Sequence, residues 1–217
     1  MKIDFVSDIA CPWCAVGLNA LEIALKRIGD DIPVTLHMQP FELNPDMAKE
    51  GVNASEYLAS KYGLSAAQLA TNRANIRARG EAVGFTFGER NRVWNTFDAH
   101  RLLHWAGLQD VTKQRALKHA LLRAYHGEGR DPSSKEVLLA LAQEVGLDIA
   151  AARSILESDI YTREVREAEQ LWIRNGINSV PAVIINDQHL ISGGQPPEVF
   201  EQAIRQIATE AQHTAKA

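Results

Sequence analysis

Lys2-Ile3-Asp4-Phe5-Val6-Ser7, then Asp8-Ile9-Ala10, then Cys11-Pro12-Trp13-Cys14: on this stretch the reading of the fold turns. Its opening alternates apolar and polar side chains, the period-two pattern of a strand. Beyond the cysteines, Val16, Leu18, Leu21, Ile23, Leu25 and Ile28 recur at helical spacing up to Gly29. Residues 33–39 alternate again and predict a second strand. Strand, helix and strand in that order close a βαβ unit, whose right-handed crossover makes the two strands parallel. The cysteine pair therefore falls where a strand hands over to a helix.

Outward from this unit the pattern becomes helical. Residues 55–62, 65–79, 96–106, 111–125, 134–145 and 149–157 read as helices, punctuated by Gly63, Gly80, Gly107, Gly127, Gly129 and Gly146. Ser65, Ser134 and Asp148 are candidate N-caps. Residues 162–175 predict a further helix, stopped by Gly176. Short apolar runs at 183–185 and 189–191 flank Asn186-Asp187-Gln188, a hairpin signal. A last helix begins near Pro196-Pro197 and runs through Phe200, Ile204 and Ile207 into a polar tail. The expected architecture is one α/β sheet, assembled from both ends of the chain, with a helical insertion between them.

With 217 residues, 46% hydrophobic and 23% charged, the chain has an ordinary globular balance. A formal net charge of −4 argues against a nucleic-acid partner. No apolar run approaches the ~18 residues that cross a bilayer. The start carries no long apolar segment of a secretory signal, so the expected location is cytoplasmic and the expected partners include no membrane.

The chain's 2 cysteines, Cys11 and Cys14, are too few and too close for a structural disulfide framework. A zinc site needs four ligands; His100 and His104 offer a conceivable second pair, but the plainer reading gives them the polar edge of an amphipathic helix. No metal is expected. The position of the pair favours redox chemistry. Pro12 suits the first turn of a helix, where its missing N–H costs nothing. Cys11 is then the N-cap, and its sulfur lies near free N–H groups and the positive helix end, which favour a thiolate. Cys14, one turn on, is placed to attack a mixed disulfide at Cys11. Val180-Pro181 precedes a predicted strand at a place where proline is tolerated.

These residues resemble the DsbA family, most of all its FrnE-like, cytosolic branch. The resemblance rests on Ser7-Asp8 before Cys11-Pro12-Trp13-Cys14, on Phe41-Glu42-Leu43-Asn44-Pro45, and on Asn95-Thr96-Phe97-Asp98-Ala99-His100-Arg101-Leu102. Val180-Pro181 and Ile191-Ser192-Gly193-Gly194-Gln195-Pro196-Pro197 complete it. It implies an α/β, thioredoxin-like fold with an inserted all-helical domain: residues 1–44 and 162–217 in the thioredoxin-like domain, residues 45–161 in the insert. It also implies a cis Val180–Pro181 peptide beside the cysteines, with Val180 and Pro181 binding substrate and Pro12 and Trp13 tuning the pair. The segment 95–102 is shared with kappa-class glutathione transferases and chromene-carboxylate isomerases, which makes Asn95 and His100 candidate pocket residues. Those relatives typically carry serine where this chain has Cys11.

The leading expectation is a thiol–disulfide oxidoreductase or isomerase acting on protein or small-molecule disulfides. Its redox-active disulfide would be Cys11–Cys14, and it would need no bound cofactor. Glutathione is a candidate co-substrate, and glutathione or a thioredoxin-like reductant a candidate partner. Two alternatives are a glutathione-dependent transferase or isomerase, and a non-catalytic chaperone with a hydrophobic groove between the domains.

Overall fold

A computed structural model describes residues 1–214. Strand β1 (Lys2–Ser7) leads into helix α1 (Pro12–Ile28), and the chain returns as β2 (Thr35–Pro40), parallel to β1 with Phe5 opposite Met38. The middle of the chain holds β3 (Val52–Asn53), α2 (Ala54–Tyr62), α3 (Ala66–Glu81), β4 (Arg92–Val93), α4 (Phe97–Gln109) and α5 (Val111–Leu122). It continues with α6 (Lys135–Glu144) and α7 (Ile149–Leu156). The C-terminal part supplies α8 (Thr162–Arg174), β5 (Ala182–Ile185), β6 (His189–Ser192) and α9 (Pro197–Thr214). The main sheet has the order β2-β1-β5-β6, with β5 antiparallel to β1 and β6 antiparallel to β5. Both ends of the chain thus build one sheet.

The caps explain where the helices start. Ser65 accepts from the Gln68 amide in a capping box, and Ser134 and Asp148 accept from the Val137 and Ala151 amides. Gly29, at φ 60°, ends α1 in a conformation that side chains other than glycine's resist.

One face of the sheet buries Ile3, Phe5, Val183 and Ile185 against Leu18 and Leu21 of α1 and Phe200 and Ile204 of α9. The other buries Val6, Ala182 and Ile184 against Trp172 of α8 and Ile177. The helical layer has its own core around Leu102, Trp105, Leu117 and Tyr125. Ile9 and Ala10, just ahead of the cysteines, pack into that helical core, while Val83, Phe85 and Leu122 from the middle of the chain pack into the core beneath α1. The loop that carries Cys11 therefore lies where sheet and helical layer join.

Two local features depart from the sequence reading. Residues 52–53 and 92–93, to which the sequence reading assigns no element, meet in the β3–β4 pairing, with Val52 opposite Val93. Arg92 fastens it by donating to the Glu50 and Gly51 carbonyls. Two residues per strand are too few to show alternation. The predicted helix over 111–125 stops at Leu122, and Arg123–Gly127 widens into a π turn, with the Glu128 amide on the Arg123 carbonyl at 3.0 Å. Tertiary contacts account for the widening. The Gly88 amide takes the His126 carbonyl at 2.9 Å, and the His126 ring reaches the Ile9 carbonyl at 2.8 Å. The polar tail continues α9 as far as Thr214, and its last three residues lie outside the described residues.

Candidate active site

Cys11 is the N-cap of α1, in extended conformation (φ −89°, ψ 115°), with Pro12 opening the helix. Its thiol donates to the Val180 carbonyl at 3.4 Å, across the cis Val180–Pro181 peptide that the resemblance implies. Cys11 keeps 4% of its surface exposed, and Cys14, behind it, none. The Cys14 thiol donates to the Cys11 sulfur, and the Cys14 and Trp13 amides turn toward it without closing a hydrogen bond. Those donors hold the Cys11 pKa below the ordinary thiol range, against burial and the nearby charge of Asp8. Burial pushes the Cys14 thiol well above that range, and its place beside Cys11 pushes it further. The two thiols are thereby made unequal.

The surroundings of Pro181 and Trp13 are close-packed. A Cβ at Gly17 would stand 2.9 Å from Cγ of Pro181, so only glycine lets the proline ring lie on α1. The Gly193 amide holds the Pro181 carbonyl at 2.8 Å. A Cβ at Gly194 would stand 3.1 Å from the Trp13 carbonyl. Arg79 closes this seam, with its guanidinium 5.8 Å from the Trp13 ring and one nitrogen 2.9 Å from the Gly194 carbonyl.

Beneath the cysteines lies Asp8, fully buried. One of its oxygens accepts from the Ala10 amide at 3.0 Å and the Thr96 hydroxyl at 2.8 Å, with Nε2 of His100 at 3.4 Å. The other accepts from the Leu43 amide at 2.7 Å. Burial opposes the charge, but His100 and the two amides outweigh it, and the Asp8 pKa lies below the usual carboxylate range. His100 is thus a buried partner of Asp8, which corrects the reading of it as a polar helix edge. His104 does keep partly to the surface, its ring 5.2 Å from that of Tyr161. Asn95 turns the chain into α4: its side chain accepts from the Phe97 amide at 2.9 Å and donates to the Met47 carbonyl at 3.0 Å. It faces a different cavity from His100, so the two do not form one pocket. Among the described residues, no group of three or more His, Cys, Asp or Glu side chains gathers as a metal site.

A family model of the DSBA-like thioredoxin domain matches residues 2–205. The chain belongs to the DsbA family. The thioredoxin-like fold and the thiol–disulfide oxidoreductase activity follow for this DsbA-family member. A probable DsbA oxidoreductase from Streptomyces coelicolor is 35% identical, over 97% of this chain and 91% of its own, with a TM-score of 0.90. The uncharacterized protein YwbO of Bacillus subtilis is 29% identical over 94% of this chain and 96% of its own. The cytosolic disulfide reductase DsbM from Pseudomonas aeruginosa, solved with GSH, shares the fold at 17% identity. That match covers 96% of this chain and 100% of its own, with a TM-score of 0.68.

One residue of this DsbA-family site escapes the sequence reading. Lys118 of α5 is fully buried, and its ammonium group has no hydrogen-bond partner among the described residues. It interacts electrostatically with Cys14, Asp8 and Cys11, and burial lowers its pKa against their pull. It borders a cavity of about 200 Å³ together with His37, Gln39, His100, His104 and Gln114. The signal was present: Lys118 stands on the same helical stripe as Leu121, Leu122 and Tyr125, all buried. A lysine inside an apolar stripe is rare without a purpose.

Proposed function

We propose that the chain exchanges disulfides of proteins or small thiols through Cys11 and Cys14, with Cys11 attacking and Cys14 resolving. The observation that carries this reading is the inequality of the two thiols. Cys11, at the helix terminus under the Val180 carbonyl, is activated; Cys14 is sealed behind it. The Cys11 thiolate attacks one sulfur of a substrate disulfide, the substrate S–S bond breaks, and one half leaves as a thiolate. Cys14 then attacks the Cys11 sulfur, forming Cys11–Cys14 and releasing the second half. The protein gives up two electrons and the substrate gains them; the reverse sequence oxidises a dithiol.

Val180 and Pro181 form the backbone edge against which a substrate strand lies, and Pro12 and Trp13 set the thiolate's surroundings. No bound cofactor enters these steps. Glutathione suits the role of small-molecule co-substrate or reductant, a reading supported by the GSH held by DsbM. That protein's cytosolic setting also supports a place for this chain in the cytosolic, FrnE-like branch, and no described helix is long and apolar enough to cross a membrane.

Insulin reduction by dithiothreitol tests the assignment, together with alkylation rate against pH for each single variant. Cys11→Ser should abolish exchange, and Cys14→Ser should accumulate mixed disulfides. Cys11 should alkylate fast near neutrality, because its pKa lies below the ordinary thiol range. Exchange that survives Cys11→Ser, or a faster Cys14, would overturn the reading. A passive holding activity would be indifferent to both variants.

A further inference from the structure

We propose that Lys118 is the proton acceptor for Cys14 as it resolves a mixed disulfide, and that the cavity bordered by Lys118 is the route by which that proton reaches solvent. The inference rests on Cys14 being the resolving thiol.

Resolution poses a problem that the geometry around Cys14 makes acute. The attacking species must be a thiolate. Cys14 is fully buried, so bulk water cannot take its proton directly. Once Cys11 is tied up in a mixed disulfide, the sulfur that received the Cys14 hydrogen bond is no longer a thiolate. The proton needs another acceptor, and few titratable groups face the site.

Asp8 is held ionised by the donors around it, so it is a poor base. His100 directs Nε2 to Asp8. His126, from the π turn, donates to the Ile9 carbonyl, and burial pushes its pKa down to about 3. His37 of β2 and His104 of α4 stand on the cavity wall. Lys118 remains: buried, interacting electrostatically with Cys14, and without a hydrogen bond among the described residues. In the mixed disulfide the two cysteine charges that favour its ammonium form are absent. Burial then opposes Asp8 alone and favours the neutral amine, whose lone pair is open.

The Cys14 proton passes to the Lys118 amine, giving a thiolate and an ammonium. The Cys14 thiolate attacks the Cys11 sulfur; the Cys11–Cys14 bond forms and the bond from Cys11 to the substrate sulfur breaks, with the electron pair leaving on the substrate thiolate. Lys118 then releases its proton through the cavity, past His37 and His104. In the reverse direction the Lys118 ammonium protonates Cys14 as it leaves.

The test uses the intact reduced protein and 5,5′-dithiobis(2-nitrobenzoate), followed by stopped-flow absorbance. The first equivalent of nitrothiobenzoate reports attack by Cys11, and the second reports resolution by Cys14. Loss of the first phase in Cys11→Ser checks the thiol assignment; the second phase checks Lys118. Lys118→Met keeps the apolar stem and removes a buried unpaired amine, so the fold should hold, as a thermal melt will show. We expect the second phase to slow about 100-fold at pH 7, the low end of what general-base catalysis contributes. The first phase should slow far less, because Cys11 is the weakest of the charges that Lys118 meets.

In the wild type the second-phase rate should level off with rising pH; in Lys118→Met it should keep climbing, because Cys14 must then ionise unaided. Lys118→Arg keeps the positive charge but cannot act as a base, and should stay slow. An unchanged second phase and pH profile in Lys118→Met would overturn the proposal. So would recovery of the wild-type second phase in Lys118→Arg, which would reduce Lys118 to a fixed charge.

Discussion

Trp13 brings no charge of its own between the cysteines, but the Arg79 guanidinium lies over its ring. The potential of the pair is governed by how well the surroundings hold the Cys11 thiolate. With backbone donors, Cys14 and the more distant charge of Lys118 doing so, and no cation between the cysteines, we expect a potential below the roughly −120 mV of the most oxidising family member, nearer −200 mV. Trp13→His should raise it, because an imidazolium beside Cys11 favours the reduced form; about 30 mV corresponds to ~1.4 kcal/mol. Arg79 resists a second cation, so the rise should grow as pH falls. Equilibration with glutathione buffers measures both, and a wild-type value at or above about −120 mV, or no rise, counts against this account. The place of Cys11 and Cys14 at the start of α1 was legible because it lies in a short local motif, whereas the cis Val180–Pro181 peptide was implied only by the family resemblance. Lys118 and the partners of Asp8 were not legible, since Leu43, Thr96 and His100 meet Asp8 only after the chain has folded back.

Helix α1 shows how an element can be constrained by what lies across from it. Gly17 sits mid-helix, where alanine is favoured by roughly 1 kcal/mol. Yet a Cβ there would press on the Pro181 ring at 2.9 Å and approach Cα of Gly194 at 3.4 Å. Overpacking of this kind costs about 1–3 kcal/mol, so Gly17→Ala should destabilise by about 1 kcal/mol and slow exchange by displacing Val180 from Cys11. Urea midpoints and insulin reduction check the two effects; a higher midpoint with full activity would show that the seam yields. Capped, periodic helices such as α3 and α7 were legible from Ser65 and Asp148. The β3–β4 pairing and the π turn were not, because Arg92, Gly88 and Ile9 impose them from outside the local sequence.

At the scale of the molecule, two buried groups set the pH range of stability. Arg166 of α8 stacks 3.7 Å from the Phe97 ring and pairs with both Glu42 and Glu169. Burial, with the charge of Glu169, pushes the Glu42 pKa up to about 8. Between its ordinary value of ~4.3 and about 8, the folded state keeps a proton that the unfolded chain has released. Stability therefore falls as pH rises through that window. His126 acts oppositely, with burial pushing its pKa down to about 3. Below ~6.5 the unfolded chain binds a proton that the folded state refuses, so stability falls as pH drops. The optimum should lie at about pH 4.5–6.5, where the two slopes oppose. Glu42→Gln should remove the alkaline decline, worth a few kcal/mol at ~1.4 kcal/mol per pKa unit. Guanidinium unfolding at several pH values measures it, and a decline that persists in the variant would assign it to other groups.

The partners of Asp8 and Cys11 also carry a message about time. A ribosome that has released the chain as far as residue 90 has delivered both cysteines, but not Thr96, His100, Lys118 or Val180. Until those segments arrive, the Asp8 carboxylate has no buried place to occupy and Cys11 lacks the carbonyl it meets across 169 residues. N-terminal segments emerge first during synthesis, and contacts this distant in sequence close late. The nascent cysteines therefore pass through translation as ordinary peptide thiols, and the redox centre is switched on only by completion of the chain.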